Sequence, residues 1–182
     1  MEHYSDEQLL ELFHNSDNPN YAFNLLINKY QEKIYWHVRR LVIDHEDTND
    51  VVQDVFVKAW KGLGRFRAES GLFTWLYRIA TNEALTFLKS KKRRFFIPWQ
   101  DVENTMAQRL ETDPFFSENE IQKKLQKAIL SLPEKQRIVF NMRYYDELKY
   151  EEMSKILDTS VGALKASYHH AANKVEEYVK SH

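Results

Sequence analysis

Apolar residues recur three and four positions apart along most of the chain, which is the spacing of one face of an α-helix. The longest run lies between residues 21 and 43 and comprises Phe23, Leu26, Ile27, Tyr30, Ile34, Val38 and Leu41. The same spacing, with polar and turn residues between the segments, predicts further helices over about 6–14, 51–61, 72–92, 119–131, 133–145, 150–157 and 161–180. The pattern therefore predicts an all-α fold.

Residues 95–119 interrupt this pattern. The segment contains Pro98 and Pro114, scattered aromatics and no clean helical period. A long segment without structure is unusual inside one compact domain, so we expect it to be a flexible linker. This divides the chain into two small helical domains, residues 1–94 and residues 120–182, joined by the linker 95–119.

Composition supports the helical prediction and narrows the class of protein. The 182 residues include only 4 Gly and 4 Pro, too few for the many turns of a β-sandwich or barrel. Cysteine is absent, which excludes disulfides, thiolate zinc sites and cysteine nucleophiles. No basic-then-apolar leader opens the chain, and a membrane span needs roughly 20 apolar residues where the longest strongly apolar runs have about five. We expect a cytoplasmic protein.

The net charge of −1 conceals four blocks of different charge. Residues 1–54 hold 11 acidic and 4 basic residues, and residues 55–94 hold 2 acidic and 10 basic. Residues 95–120 hold 6 acidic residues and 1 basic residue, and residues 121–182 hold 8 acidic and 11 basic residues. A single charged run is often only a solvated helix face. The alternation of acidic and basic blocks nevertheless favours two kinds of partner, with phosphates at the basic blocks.

The C-terminal segment has the spacing of a helix-turn-helix. Two helices of about 8 and 18 residues flank a turn at Asp158-Thr159, and Ser160 can cap the second helix. Its first turn is small enough to approach base edges in a DNA groove. The candidate DNA contacts here are Ser160, Gly162, Ala163, Lys165, Ala166 and His169. An ordinary helical hairpin is the alternative interpretation.

Arginines and aromatic residues interleave between residues 65 and 78. Binding of single-stranded DNA requires both cations for the phosphates and flat rings for unstacked bases. The candidate contacts from this pattern are Arg65, Phe66, Arg67, Ser70, Phe73, Trp75 and Arg78. Core packing is the alternative for part of the aromatic set.

The helix predicted over residues 51–61, with Asn49 or Asp50 as its N-cap, has an acidic and polar face. The residues that stand out on this helix are Asp50, Gln53, Asp54, Phe56 and Trp60. A plain surface helix is the alternative, and for Trp60 a place in the core is favoured over contact with a partner.

Enzymatic chemistry finds little support in the sequence. The seven His are scattered, no H-E-x-x-H motif is present, and four Gly cannot supply a glycine-rich phosphate loop. We therefore expect no catalytic residues, no metal, no cofactor and no small-molecule substrate.

Three stretches together resemble a bacterial RNA polymerase sigma factor of the extracytoplasmic-function (ECF) group. Residues 50–60 are similar to the helix that binds core polymerase, and residues 66–70 with 73–82 resemble the promoter-melting segment. Residues 132–140, 150–153 and 160–165 resemble the second DNA-binding domain. The resemblance covers about residues 5–92 and 120–178.

The resemblance implies that the first domain binds core RNA polymerase and reads and melts the minus-ten promoter element. It implies that Asp50, Gln53, Asp54, Phe56 and Trp60 contact the polymerase, and it adds Asn82 as an eighth contact with the melted strand. It implies that the second domain reads the minus-thirty-five element as double-stranded DNA. An anti-sigma factor, often attached to the inner membrane, is the implied inhibitor. Two alternatives remain open from the residues alone: a stand-alone helix-turn-helix regulator, which would leave residues 66–82 unexplained, and an all-α adaptor, which would leave the helix after Ser160 unexplained.

Overall fold

The computed structural model describes residues 4–15, 17–94, 99–117 and 119–181. These residues form helices without any β-strand. The helices are α1 (Asp6–Asn15), α2 (Pro19–Val42), α3 (His45–Leu63), α4 (Leu72–Arg94), α5 (Trp99–Thr112), α6 (Pro114–Ser117), α7 (Glu120–Leu130), α8 (Glu134–Tyr144), α9 (Tyr150–Leu157) and α10 (Val161–Ser181). The all-α prediction is confirmed. Within the described ranges, no helix is both long and apolar enough to span a membrane.

Helices α1–α4 form the first half of the molecule around α2. The Ser5 and Gln8 side chains bond each other's backbone N–H groups at the start of α1, a reciprocal cap. The Asn18 side chain accepts from the N–H of Tyr21 at the start of α2. The helical spacing of α2 places Leu26, Ile34 and Val38 on one buried face, which packs against α3 and α4.

The start of α3 differs from the prediction. Neither Asn49 nor Asp50 is the N-cap: Asp44 is, and its side chain accepts from the N–H of Asp47 at 2.9 Å. Thr48 is completely buried, so the first turn of α3 already packs against the core. This contact precedes Val51, the first apolar residue of the predicted helix. The polar residues after Asp44 therefore begin the helix, and acidic side chains in a first turn favour this because they complement the helix dipole.

Most of the described part of the segment predicted as a flexible linker is helical, in α5 and α6. Val102, Met106 and Leu110 recur at intervals of four and are buried in one cluster with Ile43 and Leu88 of the first half. The prediction of a segment without periodicity is therefore wrong for residues 99–117. The helical spacing is present, but it has only one large apolar residue per turn, and polar residues are more numerous. Pro98 lies outside the described residues, and Pro114 begins the short helix α6.

The second half comprises α7–α10, and its predicted elements are confirmed. The Asn119 side chain caps α7 through the N–H of Ile121. Asp158 ends α9 in the left-handed conformation, with φ 51° and ψ 48°, as the tight turn requires. Leu164, Ala171 and Val175 are the buried residues of α10, on one helical face.

The two halves contact each other. Helix α9 packs against α4, and α8 against α2. Apolar residues of the second half, among them Ile138, Met153 and Leu164, join the same buried cluster as the core of α2–α4. The described residues therefore form a closed arrangement in which α4 lies beside the helix-turn-helix.

Candidate nucleic-acid interface

A cavity of about 550 Å³ lies where α3 ends and α4 begins. Six of the eight residues predicted to contact single-stranded DNA line it. They are Arg65, Phe66, Arg67, Ser70, Trp75 and Arg78. The loop between the helices turns at Ala68, which has a left-handed φ of 54°, and this turn brings both ends of the 65–70 stretch to the same opening.

The wall of this cavity is a pair of aromatic rings. The centroids of Phe66 and Trp75 are 5.0 Å apart with the planes at 44°. Gly62, in the last turn of α3, leaves room for the indole: a Cβ there would stand 3.0 Å from Cζ2 of Trp75. Both rings are partly exposed, so a face of the pair is available to a base.

Arginine side chains surround the rings. Arg65, Arg67 and Arg78 are exposed, and Glu69 is the one acidic side chain among the residues that line the cavity. Arg78 donates to the backbone carbonyl of Lys155 in α9. The site therefore combines a positive rim with flat apolar surfaces, the combination that single-stranded nucleic acid requires.

Two of the eight predicted residues lie elsewhere. Phe73 packs inside the first half against Tyr30 and Tyr77, with ring centroids 6.1 and 4.4 Å away. Asn82 is exposed, about one turn of α4 beyond Arg78, and lines a cavity of about 830 Å³ between the two halves that Arg78 also borders. Ala163, a candidate contact of the helix-turn-helix, lines this same cavity from the other side.

The acidic face of α3 is present as predicted for its polar members. Asp50, Gln53 and Asp54 are exposed. Phe56 is only 9% exposed and belongs to the core, so it supports this helix and does not form the face. Trp60 is 38% exposed and packs edge-on against Phe13 and Phe23, part in the core and part on the surface.

Val57 is an exposed apolar residue on α3 that the sequence analysis missed; it is 44% exposed. It follows the buried Phe56 directly and so points to a different side of the helix. Its offset from the buried positions 51, 55 and 59 was the signal.

Basic side chains approach the N-terminal end of this acidic face. Asp50 and Asp54 line a cavity of about 560 Å³ together with Lys91 and Arg109. Arg109, on α5, bonds the Asp44 carboxylate. Burial raises the pKa of the Asp44 carboxyl, but the Asp47 N–H and the charges of Arg109 and Lys91 outweigh it, so the pKa is lowered overall.

The helix-turn-helix has the geometry that its spacing predicts. The Ser160 Oγ accepts from the N–H of Ala163 at 3.2 Å, which caps α10. All six candidate contacts on this helix are exposed: Ser160, Gly162, Ala163, Lys165, Ala166 and His169. Lys165 extends across Tyr150, with Nζ 5.8 Å from the ring centroid, and His169 lies 3.3 Å from the side chain of Asn173.

Among the described residues, His, Asp and Glu do not gather into any group of three or more that could hold a metal ion. The candidate site is thus built from arginines, aromatic rings and one exposed helix.

Comparison with known proteins assigns both halves. Residues 26–94 match the family model for Sigma-70 region 2, and residues 122–175 match Sigma-70, region 4. The RNA polymerase sigma-H factor of Pseudomonas aeruginosa is 33% identical over 94% of this chain and 92% of its own length. The ECF RNA polymerase sigma-E factor of Escherichia coli is 34% identical over 98% of this chain and 96% of its own length.

Solved structures share the fold. A structure of CnrH in complex with the cytosolic domain of CnrY has a TM-score of 0.70 at 21% identity and covers 97% of both chains. The sigma factor RpoE in complex with the anti-sigma factor NepR from Bartonella quintana has a TM-score of 0.67 at 20% identity, over 87% of this chain and 96% of that one. Two matched regions in order, and relatives that align over almost the whole chain, lead to one conclusion: this chain belongs to the ECF group of RNA polymerase sigma factors, which are not enzymes but bind core polymerase and direct promoter recognition, DNA melting and transcription initiation.

Proposed function

We propose that the two halves divide these tasks, with residues 1–94 binding core polymerase and melting the minus-ten element and residues 120–182 reading the minus-thirty-five element. The convergence of Arg65, Phe66, Arg67, Trp75 and Arg78 on one open cavity carries this proposal. Unstacked bases need aromatic faces beside phosphate-binding cations, and this cavity supplies both.

The acidic face of α3 is the proposed contact with polymerase. Asp50, Gln53 and Asp54 are exposed and adjacent on the helix, and the partly exposed Val57 and Trp60 extend this surface with apolar area. Charge that is exposed at the rim of an interface governs the rate and specificity of association, while buried aromatic residues supply much of the affinity.

Reversing the charge of Asp50 and Asp54 to Lys tests this contact. Both side chains are exposed, so the fold should be retained while co-elution with core polymerase on gel filtration is lost at moderate salt. Glu11→Lys with Glu32→Lys is the matched control, because both residues are exposed and the change in net charge is the same. Equal assembly by the two double variants would reject this face.

Arg67→Gln tests the melting site within assembled holoenzyme. Arg67 is exposed on the rim, so its loss should slow open-complex formation without changing assembly. Lys180→Gln removes an equal charge from the far end of α10 and should leave melting unchanged. If the two variants melt promoter DNA equally well, the cavity has no part in strand separation.

Helix α10 is the proposed reader of double-stranded DNA. Its capped first turn exposes Gly162 and Ala163, which let the backbone come close to base edges, and Lys165 extends from the same end. The stand-alone regulator and the adaptor are no longer needed as explanations, because a family match covers each half.

A protein inhibitor is the remaining proposed partner. One structural relative is a sigma factor bound by an anti-sigma factor, and another is bound by the cytosolic domain of its partner. We infer that this chain acts with polymerase in the cytoplasm. An anti-sigma factor that is anchored in the inner membrane holds it inactive. A tagged chain should co-purify with the membrane fraction. If a wash without detergent releases the chain together with a soluble partner, that partner is not anchored in the membrane.

A further inference from the structure

A buried polar cluster joins α2 to the turn after α8. Oδ2 of Asp146 lies 2.9 Å from Nδ1 of His37, and Oδ1 accepts from Arg40 at 3.0 Å. Side chains of His37 and Asp146 are 0% and 5% exposed. The carboxylate from the second half is thus held by two donors from the first half, which lie three residues apart on one helical face.

The ring of His37 is fixed on its other side as well. Nε2 lies 2.9 Å from Oγ1 of Thr81 in α4, and the Thr81 hydroxyl in turn lies 2.7 Å from the carbonyl of Tyr77. A carboxylate only accepts hydrogen bonds, so Nδ1 carries a proton toward Asp146. Arg40 also stacks on Tyr145, with Cζ 4.4 Å from the ring centroid. The cluster is therefore oriented from α2, α4 and the second half at once.

A second contact uses a residue of the proposed melting site. Arg78 donates to the carbonyl of Lys155 in α9. Asn82 of α4 and Ala163 of α10 face each other across the cavity between the halves. Proposed contacts with each of the two promoter elements thus border one cavity in this arrangement.

If the two halves bind the two promoter elements, as proposed above, the closed arrangement is too short to reach both elements at once. Elements centred near positions −35 and −10 are about 25 base pairs apart, or about 85 Å along B-DNA. A compact chain of 182 residues has a radius of gyration of about 16 Å, which corresponds to a diameter of about 40 Å. The halves must separate before the chain can engage both elements.

We propose that Asp146 is an internal latch: its bonds to His37 and Arg40 hold the isolated sigma factor closed, with Asn82 and Ala163 lining the cavity between the halves, until polymerase separates the halves. When the halves separate, the Asp146 carboxylate gains water while His37 and Arg40 remain on α2. Removing the carboxylate leaves the buried His37 and the partly buried Arg40 without this partner in the closed form, so the closed form loses stability relative to the open one.

The absence of cysteine allows a direct measurement of closure. Cysteines introduced at the exposed positions Asn24 and Glu177 place one spin label on each half. Double electron–electron resonance on the isolated full chain should give mainly a short distance. Asp146→Ala should raise the fraction at long distance about tenfold or more, since a hydrogen bond to a charged group is lost.

Glu147→Ala is the matched control, because it removes a neighbouring carboxylate that is exposed to solvent. It should keep the wild-type distance distribution. A wild-type chain that is already open, or an Asp146→Ala chain as closed as the control, overturns the latch. If Asp146→Ala loses its helical circular dichroism, Arg40→Gln replaces it, since that change removes a bond to Asp146 from the other half.

A second readout separates the latch from the proposed function. Binding of a minus-thirty-five duplex by the isolated chain, followed by fluorescence anisotropy, should be tighter for Asp146→Ala than for Glu147→Ala. If the long-distance fraction rises but neither variant binds the duplex, the latch stands and the role assigned to α10 is wrong. If duplex binding improves without any change in distance, the latch is wrong.

Discussion

Gly62 and Gly64 form a natural pair for testing how Trp75 is placed in the melting site. Both lie at the end of α3, and neither has a positive φ, so alanine fits the backbone at both. A Cβ on Gly62 would stand 3.0 Å from Cζ2 and 3.5 Å from Cη2 of Trp75. A Cβ on Gly64 would meet no heavy atom of the described residues within 4 Å.

The expected stabilities follow from two opposing terms. Alanine in place of glycine stabilises a helical position by up to about 1 kcal/mol. At Gly64 nothing opposes this gain, so we expect Gly64→Ala to raise the free energy of unfolding by about 0.5–1 kcal/mol. At Gly62 the indole must move by a few tenths of an ångström; because Trp75 borders an open cavity it can do so, and we expect a net change near zero.

The functional consequence should be larger than the change in stability. Moving the indole disturbs its contact with Phe66, and one aromatic platform for a base is worth about 1–3 kcal/mol. Open-complex formation by Gly62→Ala holoenzyme should therefore fall by about fivefold to a hundredfold. Gly64→Ala should melt the promoter as the wild type does.

Urea denaturation measures the first expectation, and the fluorescence of 2-aminopurine placed in the minus-ten element measures the second. Gel filtration with core polymerase confirms that both variants still assemble. If Gly62→Ala gains as much stability as Gly64→Ala and melts DNA normally, Trp75 does not occupy the position described, and the cavity cannot be the site of base capture.

Other changes test separate parts of the chain. We expect Lys165 to contact a guanine, in which case Lys165→Ala should cost about 1–3 kcal/mol of binding free energy at one base pair. If Lys165 contacts a phosphate instead, the slope of log affinity against log salt concentration should fall by about one. Binding to single-base promoter variants, measured at several salt concentrations, distinguishes the two contacts. Asp44→Ala should destabilise by about 1–2 kcal/mol at neutral pH because it removes a cap and an ion pair. The folded pKa of Asp44 is lowered from 3.8, so its contribution is present above 3.8 and is lost as pH falls through the folded pKa; urea midpoints of variant and wild type should converge in acid. Asp158→Gly should stabilise by about 0.5–1 kcal/mol because glycine adopts the left-handed conformation freely, and thermal melting against Asp158→Ala should show it.

The sequence was most informative where local rules act alone. The turn at Asp158 and the cap at Ser160 depend on residues within three positions, and both were predicted correctly. Helix α5 was missed because its few apolar residues are buried by Ile43 and Leu88, which are distant in sequence. Phe73 was predicted as a DNA contact from the interleaved arginines and aromatic residues, and in the structure its ring also packs against Tyr30 and Tyr77. Such packing partners cannot be identified from spacing along one segment.

Helix α5 also sets the contour length of the connection between the halves. Its 14 residues span about 21 Å as a helix, and the other 11 residues of the 95–119 segment reach at most about 37 Å when fully extended, with the four residues of α6 unwound. Two compact halves with radii of about 16 and 14 Å would then need about 55 Å of connection to reach elements about 85 Å apart. An intact α5 leaves almost no slack, and each residue that unwinds adds about 1.9 Å. The helical stability of α5 therefore limits the promoter spacing that the chain can span. We expect substitutions that stabilise α5 to reduce transcription from promoters with long spacers, and substitutions that destabilise α5 to allow it.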